Sequence, residues 1–346
     1  MRKGKMLALL LSLALLLSLA LLCGCTGKAP AGPQKYQVTY WDLFDTVTTI
    51  VGWAESEEEF QTQAGQAHEL LMEYHRLFDI YQEYEGMSNL KTVNDHAGIA
   101  PVQVDGRILE LLTDCRYYGE LTEGKVNVAM GSVLSLWHTA REDSLQDPEH
   151  AYLPEEEALR DAAEHTDMDC VRLFPETSEV FLLDEQMRLD VGAVAKGWSV
   201  QRVAQALPEG LLLNVGGNVC ATGPAAEGTP WVVGVQDPDG EGYLKTLSLE
   251  RGSLVTSGDY QRCYTWEGKV YHHIIDPETL YPSELWRSVT VYCEDSGLAD
   301  VLSTALFLMT REEGEALLAQ CGGEALWLSA LGEMYRTPGF ENLFRD

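Results

Sequence analysis

Short apolar runs alternate with glycine-rich turns from Val171 onward, and this pattern limits the folds that the chain can adopt. The runs are rich in β-branched, leucine and aromatic residues, which is typical of strands. They lie at 211–215, 231–235, 246–249, 260–266 and 270–275. Glu267-Gly268-Lys269 separates the last two runs and predicts a hairpin turn between them. The second half of the chain is therefore predicted to be dominated by short strands.

Helical spacing of apolar residues appears in the first half of the chain and again near its end. Residues 57–84 place Leu71, Tyr74 and Phe78 on one stripe, with acidic residues elsewhere, and predict a long helix. We predict further helices at 108–118, 154–163, 299–309 and 311–321, a strand or hairpin at 36–52, and a polar surface excursion at 141–154. No linker divides these elements. Residues 36–346 are predicted to form a single α+β (mixed α/β) domain, with mixed and antiparallel strands and flanking helices.

The first 25 residues have the features of an export signal. Three basic residues precede the apolar run 6–22, and Leu22-Cys23-Gly24-Cys25 has the pattern of a bacterial lipobox. We predict a signal peptide at 1–24, a lipid on Cys25 and a flexible tether at 25–35, which would hold the protein at the outer face of the cell membrane. An uncleaved signal anchor helix is the alternative.

The charge and the cysteines exclude several classes of protein. The formal net charge of −30 would repel a nucleic acid, so DNA and RNA are not expected partners. The six cysteines after Cys25 do not form a CxxC pair, so zinc and redox motifs have no support. These cysteines are interpreted as small buried apolar residues, although an oxidised pair remains open.

Residues 189–198 place an acid, a glycine turn and a lysine in succession. Asp190 ends a predicted strand, Gly192 provides the turn, and Lys196 belongs to the predicted helix that follows. Such a turn exposes backbone groups to a ligand and directs a helix N-terminus toward anions, and Lys196 adds a charge suited to phosphate. An ordinary strand-turn-helix connection would explain the same residues.

Two further segments combine turns with polar residues. Asn214-Val215-Gly216-Gly217-Asn218 would let the backbone approach a ligand, although such pairs also form ordinary turns, and it is not a GxGxxG motif. His273 ends an apolar strand just before a turn, where catalytic groups often lie, whereas a lone histidine in a strand is more often packed. His272 would face the opposite side of that strand.

Asp300 and Thr304 are four residues apart on a predicted helix, so their oxygens share one face. A carboxylate and a hydroxyl at this spacing can hold one hard cation, with help from a carbonyl and phosphate oxygens. Taken alone, the pair would also fit a helix that begins with an aspartate and buries a threonine.

Taken together, these motifs resemble one family, the ApbE-type FAD:protein FMN transferases. The likeness runs from about Tyr40 to Thr310. It includes further segments, namely Phe44-Asp45-Thr46, Phe78-Asp79-Ile80-Tyr81, Ser88-Asn89-Leu90 before Val93-Asn94, Gly124-Lys125-Val126-Asn127-Val128 ahead of Leu136-Trp137, and Pro230-Trp231-Val232-Val233-Gly234-Val235-Gln236-Asp237-Pro238.

The resemblance implies roles for individual residues. Those implied to contact FAD are Phe44, Tyr81, Lys125, Val126, Asn127, Asp190, Lys196, His273 and Ile274. Those implied to bind Mg²⁺ are the carbonyl of Ala193, the carboxylate of Asp300 and the hydroxyl of Thr304. His273 is placed beside the reacting centre, and it is the best candidate for a general base.

The chain departs from the family pattern in three places. The family usually has Met-Gly-Thr at the position of Phe44-Asp45-Thr46, and it often has Phe-Asp-Pro-Thr at the position of 126–129. In the segment Asp276–Pro282, Leu280 occupies the place of a family glycine. These departures concern the contacts to the flavin more than the metal site.

The implied activity is magnesium-dependent transfer of the FMN half of FAD to a Ser or Thr hydroxyl of another protein, with release of AMP. The expected acceptor is a protein with an exported flavin-attachment domain of a membrane redox system. If water replaced the hydroxyl, the same site would be an FAD pyrophosphatase. A lipid-anchored flavin-binding protein without catalysis would need the pocket, but neither His273 nor a metal.

Overall fold

A computed structural model describes residues 32–240 and 242–345. The predicted signal peptide, Cys25 and residues 25–31 of the predicted tether lie outside these ranges. The helices are α1 (Glu57–Phe78), α2 (Leu90–Asp95), α3 (Gly106–Leu121), α4 (Gly131–Gln146), α5 (Glu156–Ala163), α6 (Ala195–Ala206), α7 (Ser296–Phe307), α8 (Arg311–Cys321) and α9 (Pro338–Glu341).

The strands of the described ranges are short and follow one another mostly through tight turns. They are β1 (Gln34–Leu43), β2 (Thr46–Ala54), β3 (Val102–Gln103), β4 (Val171–Phe174), β5 (Glu179–Leu182), β6 (Leu211–Val215), β7 (Asn218–Ala221), β8 (Trp231–Gln236), β9 (Tyr243–Leu249), β10 (Gly252–Gly258), β11 (Tyr264–Trp266), β12 (Lys269–Tyr271), β13 (Ser288–Cys293), β14 (Glu324–Leu328) and β15 (Met334–Arg336).

Eight strands form the main sheet, in the order β1-β2-β6-β7-β10-β13-β14-β15, and every neighbouring pair is antiparallel. Smaller antiparallel sheets pair β3-β5-β4, β8-β9 and β11-β12. The predicted hairpin at Glu267-Gly268 is confirmed between β11 and β12. The single parallel pairing in the described ranges is an isolated bridge between Met130 and Arg188.

The two faces of the main sheet are covered differently, because side chains alternate along a strand. On one face, Val255, Val289 and Val291 pack in the largest core cluster with residues of α3, α6 and α7. On the other face, Leu254 and Leu326 pack with the β8-β9 hairpin and α9. A smaller cluster joins α4 to the hairpin of β11 and β12. We call α4, β11 and β12 together the outer lobe. The predicted combination of helices and antiparallel sheet in one domain is confirmed.

Helix α1 begins as its sequence indicates but ends earlier than predicted. Ser56 caps the helix by accepting a hydrogen bond from the Glu59 N–H. The prediction that the helix continues to Tyr84 is wrong, since it ends at Phe78. The Asp79 carboxylate accepts hydrogen bonds from the N–H groups of Tyr81 at 2.7 Å and Gln82 at 3.0 Å. These bonds replace helical ones and close a tight turn.

Four other predictions for local structure are wrong. The run 260–266 is a strand only from Tyr264 onward. Residues 141–146 continue α4 instead of starting a surface excursion, because Val133, Trp137 and Ala140 bury one stripe of that helix. The run 270–275 is a strand only as far as Tyr271. The segment before Asp190 forms no strand beyond the isolated bridge at Arg188.

All six cysteines after Cys25 are unpaired, and Cys115, Cys220 and Cys293 are buried. The interpretation of these residues as small apolar side chains therefore fits at least half of them. Within the described ranges, the helices are too short or too polar to cross a membrane.

Candidate active site

A cavity of about 700 Å³ lies between one end of the main sheet and the outer lobe. Its size falls in the usual range for small-molecule sites. The residues that the resemblance implies to contact FAD or Mg²⁺ all line it, namely Phe44, Tyr81, Lys125, Val126, Asn127, Asp190, Ala193, Lys196, His273, Ile274, Asp300 and Thr304, whereas of the segment 214–218 Gly216 alone lines it. Residues that are up to 260 positions apart in the sequence therefore meet at one place.

The close contact of α6 with α7 positions the carboxylate of Asp300. A Cβ atom at Gly197 would lie 2.4 Å from the Cβ of Asp300, so only glycine allows the two helices to approach this closely. The Gly197 N–H donates to Asp300 Oδ2 at 2.7 Å, and Lys196 Nζ donates to Asp300 Oδ1 at 2.8 Å. Asp300 is 6% exposed, and the two hydrogen bonds hold its carboxylate in one orientation at the cavity wall.

This contact also leaves a backbone carbonyl free at the start of α6. In a regular helix the Gly197 N–H would donate to the carbonyl of Ala193, four residues earlier. It donates to Asp300 instead. Among the described residues, no backbone N–H is found to donate to the carbonyl of Ala193, which is half-buried. The free carbonyl lines the same cavity as Asp300.

The predicted spacing of Asp300 and Thr304 on one helix is confirmed, because both lie on α7 and both line the cavity. No hydrogen bond to the Thr304 hydroxyl is found among the described residues, and Thr304 lines the cavity, so the hydroxyl is available to a ligand. A carboxylate, a hydroxyl and a free carbonyl are hard oxygen ligands, which Mg²⁺ prefers. These residues therefore fit a magnesium ion. Among the described residues, no three His, Cys, Asp or Glu side chains lie close enough together to hold a metal ion. The set of ligands here is of a different kind, because it combines one carboxylate with a hydroxyl and a backbone carbonyl.

The turn that precedes α6 places its acid, its glycine and the following lysine at the cavity, as the sequence predicts. Asp190 Oδ1 accepts a hydrogen bond from the Gly192 N–H at 2.8 Å, and the Asp190 N–H donates to the Val128 carbonyl at 2.8 Å. Burial raises the pKa of the Asp190 carboxyl, although the Gly192 N–H and the positive charge of Arg262 oppose this shift. The turn directs the N-terminus of α6 and Lys196 into the cavity, an arrangement suited to phosphate.

The segment 125–127 contributes mainly backbone and one charge. Lys125 forms ion pairs with Asp276 at 3.3 Å and Glu278 at 2.9 Å. Val126 is buried, with 3% of its surface exposed. The Asn127 amide is already engaged, because Nδ2 donates to the Thr166 carbonyl and Oδ1 accepts from the Ala129 N–H. The side chain of Asn127 therefore shapes this wall of the cavity more than it offers free hydrogen-bonding groups.

Two of the sequence departures keep the backbone conformation of a glycine. Asp45 stands at the family glycine of the β1-β2 turn and has φ 50°. Leu280, at the other glycine position, has φ 64°. Positive φ is costly for these residues, so the surrounding structure must hold the turns. At the β1-β2 turn, the N–H of Phe44 donates to His75 Nδ1 at 3.2 Å, and Arg262 donates to the Phe44 carbonyl at 3.3 Å.

The two neighbouring histidines have different roles. His272 Nε2 donates to the Ser283 carbonyl at 2.8 Å, and its Nδ1 accepts from the Ile274 N–H at 3.2 Å, so both nitrogens are engaged. This bond to Ile274 explains why β12 stops at Tyr271. The half-buried His273 donates from Nδ1 to the Gln261 carbonyl at 3.2 Å. Its Nε2 is left as a proton acceptor.

The environment of His273 makes its imidazole less basic than that of an exposed histidine. Desolvation, followed by the nearby charge of Arg262, lowers the pKa of His273 to about 3. The imidazole is therefore neutral at pH 7, as a base must be, but it is a weak base until negative charge enters the cavity.

Sequence reasoning missed two arginines and a histidine that line the cavity. Arg141 was assigned to a surface excursion, yet its Nη2 donates to His138 Nδ1 at 3.0 Å on α4. The His138 ring lies 5.2 Å from the Tyr81 ring. Arg262 follows β10, lines the cavity and donates to the Phe44 carbonyl. The helical spacing of Val133, Trp137 and Ala140 was the available signal for Arg141.

Comparison with known proteins connects this site to one family. The ApbE family model matches residues 39–327. The FAD:protein FMN transferase of Treponema pallidum is 34% identical over 262 residues, which cover 70% of each chain. The FAD:protein FMN transferase of Klebsiella pneumoniae is 32% identical over 261 residues, 71% of this chain and 78% of the relative.

Solved structures agree with the fold. The ApbE protein of Thermotoga maritima superposes with a TM-score of 0.80 at 29% identity, over 90% of this chain and 100% of that protein. The flavin transferase ApbE of Vibrio cholerae superposes with a TM-score of 0.73 at 22% identity, over 90% and 99%, and supports the fold alone. The family match and the relatives above 30% identity establish that this chain belongs to the ApbE family.

Proposed function

We propose that the protein transfers the FMN half of FAD to a Ser or Thr hydroxyl of an acceptor protein, with Mg²⁺, and releases AMP. The observation that carries this proposal is the meeting of Asp300, Thr304 and the free Ala193 carbonyl with Lys196 and His273 in one cavity. Relatives that bear the name FAD:protein FMN transferase support the same activity.

The phosphates of FAD would lie at the N-terminus of α6. Lys196 and the positive end of the α6 dipole favour negative charge there. Lys196 now neutralises Asp300 at 2.8 Å, and its flexible chain could turn from that carboxylate to a phosphate. Asp300, Thr304 and Ala193 would hold Mg²⁺, which would neutralise phosphate charge and stabilise the leaving AMP.

The reaction would be an in-line displacement at the phosphorus on the FMN side. The acceptor oxygen forms the new bond to phosphorus, the bond to the bridging oxygen breaks, and AMP leaves with that electron pair. The hydroxyl proton passes to His273 Nε2, which is free because Nδ1 is bonded to Gln261. The two phosphates would bring negative charge beside Arg262 and His273, which raises the pKa of the imidazole and strengthens the base.

The products distinguish this proposal from the hydrolytic alternative. The protein is incubated with FAD, Mg²⁺ and a pool of threonine-containing peptides, and both the peptides and the released nucleotides are analysed by mass. Transfer predicts AMP and a peptide that has gained FMN. Free FMN with AMP and unlabelled peptides would indicate a pyrophosphatase, and intact FAD would indicate a binding protein without catalysis.

We also propose that a lipid on Cys25 holds the mature protein at the outer face of the cell membrane, where an exported flavin-attachment domain of a membrane redox system would be its acceptor. The lipobox at 22–25 supports this proposal. Cys25→Ser should release the protein from membranes or block processing of the signal peptide. Unchanged membrane retention of a normally cleaved protein would contradict the lipid anchor.

A further inference from the structure

A second cavity of about 430 Å³ lies beside the main one, and the proposed reaction does not use it. Strand β12 forms one side, and the segment 281–287 forms the other. Tyr271 and His272 line both cavities, so one layer of side chains separates them. We call this second cavity the slot.

The two sides of the slot belong to an antiparallel pairing that opens. Ile275 pairs with Pro282, and the Ser283 N–H donates to the Ile274 carbonyl at 3.2 Å. Further along, the two segments are connected through side chains, by the ion pair of Lys269 with Glu284. The slot therefore opens at the place where the next backbone pairs would form.

The open edge of β12 offers hydrogen-bonding groups to the slot. Glu267 and Gly268 have φ 48° and 79°, which is a two-residue type I′ turn, and in such turns the flanking residues form a hydrogen-bonded pair. The next pair, Thr265 and Val270, then directs its N–H and C=O groups away from the partner strand. Neither group of Val270 makes a backbone bond to another described segment, and its side chain is 52% exposed.

A buried carboxylate oxygen at the slot is also unsatisfied. Asp259 Oδ2 pairs with Arg287 Nε at 2.8 Å. Asp259 Oδ1 is buried and has no hydrogen-bond partner among the described residues. An unpaired buried acceptor is costly, so an N–H or O–H group of an occupant would stabilise it.

We propose that an extended segment of the acceptor protein binds in the slot as an added strand beside β12. This inference rests on the proposed transferase function and names the site of its protein substrate. A polypeptide fits because strand addition uses the backbone groups that Val270 presents, with side chains of the segment alternating between the two faces. The slot shares Tyr271 and His272 with the main cavity, so the part of the acceptor that follows the added strand has only a short distance to reach the base, His273.

Val270→Pro tests the edge directly. It removes the N–H of residue 270. Because that N–H points away from β11, no bond between the two strands is lost, and edge strands tolerate proline at such positions. Val270→Thr keeps the N–H and nearly the same shape, and is the matched control. The probes are a pool of peptides of about ten residues with one central threonine, the length of a strand, and N-acetylthreonine amide, which is too short to pair. Attached FMN is measured by mass, and cleavage of FAD by water is measured separately.

For the peptides, we expect Val270→Pro to lose roughly tenfold in kcat/KM, the equivalent of about one backbone hydrogen bond. Val270→Thr should remain close to the wild type, and cleavage of FAD and labelling of N-acetylthreonine amide should not change in either variant. If Val270→Pro also lost cleavage of FAD, hydrogen exchange of the wild-type Val270 N–H would replace it: a bound peptide should slow this exchange, and unchanged exchange would contradict the added strand.

Two other results would overturn the inference. Labelling of the peptides by Val270→Pro at the wild-type rate would remove the edge of β12 as a docking site and leave the transferase function standing. Cleavage of FAD by the wild type without flavin on any probe would contradict the transferase function itself, and the inference with it.

Discussion

Replacement of Gly197 by alanine tests whether the contact between α6 and α7 builds the metal site. The added Cβ would lie 2.4 Å from the Cβ of Asp300, 2.5 Å from the Ser296 carbonyl oxygen and 3.0 Å from Asn218 Nδ2. The optimal separation of carbon atoms is about 3.5–4.0 Å, and the Ser296 oxygen belongs to the backbone, so the two helices must move apart. Overpacking of this kind costs about 1–3 kcal/mol.

The consequence for function follows from the same contact. Separation of the helices weakens the bond from the Gly197 N–H to Asp300, which is 2.7 Å long in the structure. We expect Gly197→Ala to lower the free energy of unfolding, measured by urea denaturation, and to raise the Mg²⁺ concentration needed for half-maximal cleavage of FAD. Gly65→Ala in α1 is the matched control, because its Cβ would meet no atom within 4 Å.

The control should change stability in the opposite direction, by about 0.5–1 kcal/mol in favour of the folded state, since alanine is the better residue inside a helix. If Gly197→Ala kept wild-type stability and an unchanged Mg²⁺ dependence, the reasoning about this contact would be refuted.

Two further predictions concern the residues of the cavity. Asp300→Ala should abolish cleavage of FAD at limiting Mg²⁺, whereas Thr304→Ala should do less harm because it removes a neutral ligand, and full activity of Asp300→Ala would place the cation elsewhere. Arg262→Gln should raise the pKa of His273 above about 3, while desolvation keeps it below the usual value, and an unchanged NMR titration would contradict the role of this charge. Folding lowers the pKa of His273, so protonation of this residue favours the unfolded state. Its contribution to the free energy of unfolding is therefore present above about pH 6.5 and declines as the pH falls toward 3. In Arg262→Gln this decline should span a narrower range of pH.

The parts of the site that depend on local sequence could be predicted. Asp300 and Thr304 lie together because helical spacing alone places them on one face. The turn from Asp190 to Lys196 also follows from its glycine and its acid, even though the expected strand before it is absent.

Features that depend on distant contacts could not be predicted. The Ala193 carbonyl is free only because α7 supplies an acceptor for the Gly197 N–H, more than 100 residues away in the sequence. Helical spacing indicates the helix that carries Arg141, but only the packing of the outer lobe brings this side chain to the cavity. The low pKa of His273 has the same origin, since burial and Arg262 act through tertiary structure.

The measurement that tests the account most directly is covalent flavin transfer by His273→Ala. Wild type and variant are given FAD, Mg²⁺ and the same threonine peptides, and the rate of FMN attachment and the affinity for FAD are compared. We expect transfer to fall by about 10²- to 10⁴-fold, the usual contribution of a general base. Affinity for FAD should change far less, because the imidazole acts in the transition state. Transfer at the wild-type rate by His273→Ala would contradict the assignment of the base.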